Sequence, residues 1–400
     1  MSAGTGAGNN LIRSLRADAG PILGCHHDPF LLKKSCADRN YLVPSTREPE
    51  LVAALRAIGR REKGTLVLPT TDDEVERLSR ERTRIGLRVF LPDHDVVEIC
   101  QDKFALTTAL RARGVPAPET YAVGAIDDVP ALFKQLGARR RLWCRARKGA
   151  GSVAATDVET IEQARSWIAY WNEMRDVAVA DFTLSEYLPG RDFACQSLWK
   201  DGALVLIKTT ERISYFGGGS APSGVSSIGA VHKTVREPRL VEIAAAAVRA
   251  LDGRASGAFS VDLKENVAGV PCVTEINVGR FLSGTTIFDV TGKHNMATTF
   301  VRIALGQAVA IDDPYDAVDD YYMTRDLDTL PDVFQADELF DGFVDLRSPG
   351  SLQRTRPPRR ESTTWARDHL GVPSSASPSR SAARRTRKNG SSSRRRWRAS

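Results

Sequence analysis

The stretch VTEINVGRF, Val273 to Phe281, decides the fold. As a strand it alternates its faces, so Val273, Glu275 and Asn277 point one way and Thr274 and Ile276 the other. Glu275 and Asn277 then place two oxygen ligands on one face, with Arg280 just beyond. Upstream, AFSVDLK puts Phe259, Val261 and Leu263 on one face and Ser260, Asp262 and Lys264 on the other. A turn near Asn266 to Gly269 folds this strand back on VTEIN, which sets Asp262 beside Glu275 and Asn277. Three hard oxygen donors on adjacent strands, with no histidine or cysteine among them, suit magnesium shared with substrate phosphates rather than zinc. Taken alone, the hairpin reads rather as a solvated outer face, with Asn277 and Arg280 as ordinary surface residues.

Working outward, DFTLSEYLPGRDFACQSLWKDGALVLIKTTERI reads as consecutive antiparallel strands with turns at Pro189-Gly190 and Asp201-Gly202. The helix PRLVEIAAAAVRAL separates them from the hairpin, and NMATTFVRIALG is the last predicted helix. Between the motif segments, YFGGGSAPSGVSS is a long loop, suited either to a lid over substrates or to plain variable surface. His232 and His294 read as loop residues rather than acid–base groups, and the adjacent His26 and His27 diverge along a strand, which disfavours a metal site there.

Toward the N-terminus, Asp102 caps a helix with Phe104, Leu106 and Leu110 on its apolar face, ended by Gly114, Pro116 and Pro118. After a helix near Val129 to Leu136, the strand RLWCRA runs into RKGAGSVAATD, a glycine loop without the Gly-Lys-Ser/Thr ending of a phosphate-binding P-loop. Gly149, Gly151 and Ser152 suit backbone amides closing over phosphate oxygens; a simple hairpin turn is the alternative. In the first hundred residues, GTGAGNNLIRSLRA is a glycine turn entering a helix, with too few residues before it for a full first strand. LVAALRAIGR and DDEVERLSRERTRIG read as helices and GTLVLPTTD and LRVFLP as strands, so an open, mostly parallel sheet is expected over roughly residues 1–100.

Composition sets outer bounds. With 400 residues and 42% apolar content the chain can build two or three packed units. No run of about 18 apolar residues and no charged-then-apolar leader pattern is present, so a cytoplasmic protein without a membrane anchor is expected. Six scattered cysteines give neither a zinc pattern nor a disulfide framework and are expected to be buried, reduced thiols. The net charge is +7, but residues 350–400 carry fourteen Arg and Lys against Glu361 and Asp368, a local +12 that leaves −5 for the rest. This Ser-, Arg- and Pro-rich tail is expected to be disordered, and clusters such as RRTRK and RRRWR give a minor nucleic-acid reading.

In order, the segments DKFALTTALRARGVPAPET, CRARKGAGSVAA, SEYLPGRDF and GAFSVDLKENVAGVPCVTEINVGRF resemble the ATP-grasp superfamily over about residues 1–310. The likeness is to half-domains of the carbamoyl phosphate synthase large subunit and to stand-alone carboxylate-amine ligases. It implies an α/β domain over 1–100, then an ATP-grasp domain over 101–310 with α+β subdomains of about 101–180 and 181–310. A C-terminal extension over 311–349 and the tail over 350–400 follow.

The resemblance also implies roles. Lys103 and Arg145 would reach ATP phosphates, although the family usually has a lysine followed by proline where Arg145-Ala146 stands. Glu186, Tyr187 and Leu188 would bind adenine, with Asp192 on the ribose; a charged pair flanking a turn is the competing explanation of Glu186 and Asp192. Asp262, Glu275 and Asn277 would hold magnesium, or manganese in its place, and Arg280 would stabilise the transferring phosphoryl group. The expected chemistry is ATP-driven activation of a small carboxylate as an acylphosphate, captured by an amine, in a protein compatible with a homodimer. Phosphorylation of bicarbonate and a non-catalytic ATP-binding module are the rivals.

Overall fold

The computed structural model describes residues 1–16, 20–137, 141–149, 151, 152, 154–224, 226, 228–282, 284–325 and 332–338. Its centre is the hairpin of the opening motif. Strands Gly257–Glu265 and Pro271–Val278 pair antiparallel, with Ser260 opposite Asn277 and Asp262 opposite Glu275. Asn266 builds the turn: its side-chain oxygen accepts the amides of Ala268 (2.9 Å) and Val270 (3.0 Å).

The expected alternation fails at one place. A bulge leaves Thr274 without a partner, so Val273 pairs with Leu263 and turns into the core while Glu275 and Asn277 keep the opposite face. Val273 therefore does not share a face with Glu275, because a bulge inserts one residue and resets the two-residue period.

In chain order the strands are β1 (Leu23–His26), β2 (Arg39–Leu42), β3 (Thr120–Ala122), β4 (Leu142–Ala146), β5 (Thr156–Val158), β6 (Phe182–Glu186), β7 (Asp192–Lys200), β8 (Ala203–Tyr215), β9 (Gly229–Thr234), β10 (Gly257–Glu265), β11 (Pro271–Val278), β12 (Tyr321–Thr324) and β13 (Asp332–Gln335). Seven form an antiparallel sheet in the order β11-β10-β7-β8-β9-β12-β13. The β7–β8 turn is the expected Asp201-Gly202, both residues with positive φ (51° and 86°), as a two-residue hairpin requires.

One face of this sheet buries Phe193, Cys195, Phe259, Val261, Leu263, Val273 and Ile276 against Leu240, Ala244 and Val248 of helix Pro238–Leu251 and Leu106 and Leu110 of helix Lys103–Arg111. Each large side chain buried this way contributes about 1.5–3 kcal/mol. Asp102 caps the latter helix, accepting from Phe104 N at 3.0 Å and Ala105 N at 3.1 Å. A second antiparallel sheet, β3-β6-β4-β5, packs Leu142, Cys144 and Leu184 against Phe133 of helix Val129–Gln135 and Ile168 of helix Ile161–Arg175.

Three expectations need correction. Over residues 1–100, described parallel pairing is confined to β1–β2 and a single bridge between Leu66 and Arg88. Met1–Ala3 bond to β1 and to Leu68 once each, Ala3 N to Cys25 O and the Met1 amine to Leu68 O, too few for a ladder. A cavity of about 700 Å³, lined in part by Leu23, Cys25, Leu55 and Leu66, opens there. Second, Tyr215 closes β8 rather than starting a loop, and His232 lies buried on β9. Third, residues 311–349 add β12 and β13 to the large sheet, and helix Thr285–Thr291 precedes the predicted last helix, Met296–Ala304. The tail over 350–400 lies outside the described residues.

Behind the site, Lys208 on β8 is fully buried, 3.0 Å from Asp316, and donates to the Phe288 carbonyl at 2.7 Å. Asp289 nearby accepts from the Ser14 hydroxyl and from Met296 N at 3.1 Å, and burial pushes its carboxyl up to about 6. All six cysteines are free and five are buried. Among the described residues no helix is long and apolar enough to cross a membrane.

Candidate active site

The polar face of β10 and β11, the ends of β4 and β6 and the N-terminal helices enclose a cavity of about 490 Å³. Of the residues singled out from the sequence, Arg145, Gly151, Ser152, Glu186, Tyr187, Leu188, Asp192, Asp262, Glu275, Asn277 and Arg280 all line it. Lys103 and Gly149 stand in the layer behind. The Lys103 ammonium donates to the Gly149 carbonyl at 2.8 Å and lies 3.9 Å from Glu275, and burial lowers its pKa. Gly149 and Gly151 have φ of 99° and 84°, which a side chain rarely adopts, so the loop can turn its peptide groups toward the cavity and toward Lys103.

At one end, β6 runs out into Glu186, Tyr187 and Leu188 beside Trp143 and Pro118. Asp192, the first residue of β7, accepts from Arg212 at 3.0 Å and from the Tyr215 hydroxyl at 2.6 Å. In the middle, Asp262 accepts from Arg212 at 2.6 Å and from the Asn277 amide at 3.3 Å. Burial raises the Asp262 carboxyl to about 6; Arg212 opposes that rise and Glu275 adds to it. Arg280 donates to the Asn277 side-chain oxygen and grips Asp72, the first residue of helix Asp72–Arg80.

Arg145 reaches from β4 to the large sheet and donates to the Thr274 carbonyl at 2.9 Å, the group the bulge turns out of the ladder. Its Nε is buried with no partner, and burial depresses its pKa against the pull of Glu275 and Asp262. The remaining guanidine capacity is an open donor set at the cavity wall, the kind of group that receives an oxyanion.

Among the described residues no three His, Cys, Asp or Glu side chains group as a metal cluster. The candidate set is instead two carboxylates and one carboxamide, all oxygen donors. That set fits a hard dication that takes its other ligands from phosphate and water, since Asp262 and Glu275 are held together in a buried setting where one raises the other's pKa.

Several lining residues were given no role by the sequence: Asp72, Arg212, Tyr215, Lys264 and Arg325. Lys264 follows from the β10 alternation. Arg212 does not, because counting back from the Asp201-Gly202 turn sets Asp192 opposite Glu211; a register shift at Leu198/Trp199 brings Arg212 there instead.

No family model matches the chain, and no curated protein sequence matches it. Solved structures do. The biotin carboxylase domain of Hydrogenobacter thermophilus 2-oxoglutarate carboxylase, in complex with MgADP, ADP and bicarbonate, matches with a TM-score of 0.63 at 14% identity over 80% of this chain and 71% of that one. The L-amino acid ligase of Bacillus licheniformis gives 0.60 at 14% identity over 78% and 75%. N5-carboxyaminoimidazole ribonucleotide synthetase of Thermus thermophilus gives 0.59 at 16% identity over 80% and 81%. All three are ATP-grasp enzymes, and this chain shares their fold.

Proposed function

We propose that this chain, built on the ATP-grasp fold, is an ADP-forming ligase that activates a carboxylate with ATP and passes the acyl group to an amine. The observation that carries the reading is Asp262 opposite Glu275, with Asn277 beside them, facing a cavity that Arg145, the Gly151-Ser152 loop and Arg280 also line. Named neighbours of the same fold are an L-amino acid ligase, a carboxyaminoimidazole ribonucleotide synthetase and a biotin carboxylase domain, the last solved with MgADP and bicarbonate. Bicarbonate therefore stays among the candidate carboxylates.

In this reading Glu186 to Leu188 hold the base, Asp192 the ribose, and Lys103, Arg145 and the glycine loop the phosphates. Asp262, Glu275 and Asn277 would hold magnesium, or manganese in its place; bound there, the ion supplies neutralisation of charge on the phosphate oxygens. A carboxylate oxygen of the substrate attacks the γ-phosphorus in line, and the bond to the bridging β–γ oxygen breaks, releasing ADP. Arg280 stabilises the charge spread over the transferring group, and the chemistry needs positioning rather than a protein nucleophile. The amine then attacks the acyl carbon, inorganic phosphate leaves, and the amine's proton passes to solvent. A cytoplasmic location, where ATP is supplied, is consistent with this reading.

The test is an ADP-release screen over amino acids, other small carboxylates and bicarbonate, each with and without an amine, with hydroxylamine as a trap. Hydroxamate forming in step with ADP is expected for the true organic carboxylate, and Glu275→Gln should abolish both signals. Substrate-stimulated ADP release with no product derived from any carboxylate would reduce the protein to an ATPase or regulatory module.

A further inference from the structure

The three candidate metal ligands do not stand open. Both oxygens of Asp262 are taken, one by Arg212 and one by the Asn277 amide; the Asn277 oxygen is taken by Arg280, and Glu275 faces Lys103. Arg212 holds the middle of this mesh. It lies directly across the strand pair from Asp192, its side chain is only 12% exposed, and it spans Asp192 and Asp262 at once. A guanidinium does not give up its proton in a protein, so Asp262 always meets a positive charge there. Asp192, one of the two carboxylates Arg212 spans, is itself held by the Tyr215 hydroxyl.

The mesh has no negative charge to spare. Asp72, Asp192, Asp262 and Glu275 are matched by Lys103, Arg145, Arg212 and Arg280, and Lys264, 3.8 Å from Asp192, adds a further positive charge. A lone dication entering this half-buried set would bring an unbalanced double charge and would have to displace an arginine from Asp262. A polyphosphate first tips the balance to negative, and only then is a dication compensated.

The geometry points to Arg212 as a resident counter-cation: a positioning residue that occupies Asp262 while nucleotide is absent and yields one carboxylate oxygen when polyphosphate arrives. Metal and nucleotide then enter as a coupled pair, and the free protein does not hold magnesium. This rests on the nucleotide reading of the cavity.

Calorimetry tests it with magnesium chloride alone, ADP with chelator, and ADP with excess magnesium. The wild-type protein should show no binding of magnesium alone, while magnesium strengthens ADP binding by about 5–150-fold. Arg212→Met should bind magnesium alone, gain thermal stability from it and lose most of that coupling; Arg212→Lys, which keeps the charge, should behave as wild type. Should Arg212→Met unfold, magnesium alone is expected to restore its circular dichroism, and if it does not, titrations of the wild-type and Arg212→Lys proteins decide. Magnesium binding to either of these without nucleotide overturns the inference, as does a folded Arg212→Met that ignores magnesium. ADP that binds with no gain from magnesium removes only this inference, whereas ADP that binds under no condition removes the nucleotide reading as well.

Discussion

Arg280 holds Asp72 from 208 positions away in the chain, its Nε 2.5 Å from one carboxylate oxygen and a terminal nitrogen 3.3 Å from the other. The pair clamps the start of helix Asp72–Arg80 onto the end of β11, and the Asn277 oxygen takes a further donor of the same guanidinium. The group proposed to meet the phosphoryl is thus oriented before any substrate binds.

Arg280→Ala should lower turnover by about 2.7–4 kcal/mol of barrier, as for other single preorganised donors, with a much smaller loss of ADP affinity. Asp72→Asn, which leaves the guanidinium in place but frees its aim, should give a smaller loss of turnover. Steady-state kinetics beside ADP calorimetry reads the split; equal losses in the two measurements would make Arg280 a binding residue only.

Arg145→Lys keeps a cation at the cavity wall but is too short and unforked to keep the Thr274 carbonyl as well. The expected outcome is ADP affinity close to wild type with folding stability lower by about 1.5–3 kcal/mol, the usual size of a charge-assisted hydrogen bond. Urea unfolding measures it, and unchanged stability would show that the contact to Thr274 contributes nothing.

Asp316→Ala leaves the Lys208 ammonium buried without its counter-charge and should cost about 3–5 kcal/mol in urea unfolding. Replacing both, Lys208→Met with Asp316→Leu, should cost less than the single change, since neither member of the pair is left facing an empty place. A double variant worse than the single one would mean that the pair does more than neutralise itself.

Asp289 gives the stability curve a definite sign. Its carboxyl titrates near 6 in the folded protein, above the usual value, so the folded state binds the extra proton. Its contribution is fully present below about pH 4 and is lost as pH rises through about 6. Asp289→Asn should flatten that fall in a series of urea melts between pH 4 and 7; an unchanged slope would mean that other groups produce it.

Local chemistry made much of this legible. Asp102 as a helix cap, Asp201-Gly202 as a two-residue turn and Asp262 opposite Glu275 each follow from neighbours a few residues away, and the structure has all three. What escaped depends on single-residue slips and distant partners. The bulge at Thr274 and the shift at Leu198/Trp199 leave no mark in composition, yet one turns Val273 inward and the other replaces a repulsive Asp192–Glu211 pairing with Asp192–Arg212. Asp72 opens a predicted helix and its bond to Arg280 joins positions 208 apart in the chain, which no local pattern announces. Within 311–349, β12 pairs with the following β13 but joins the large sheet through β9, far earlier in the chain, so nothing local announced its place there.

The bulge also bears on how this segment tolerates changes of length. Removing Thr274 would leave Val273 followed by Glu275 in unbroken alternation, with Val273 and Ile276 still inward and Glu275 and Asn277 still toward the cavity. Deleting Glu275 or Ile276 instead would throw part of that order out of phase. Thr274 is thus the residue the strand could lose while keeping both faces, and what would go with it is the carbonyl by which Arg145 ties the smaller sheet to the larger. The extra residue serves as a tether between the two halves of the cavity wall.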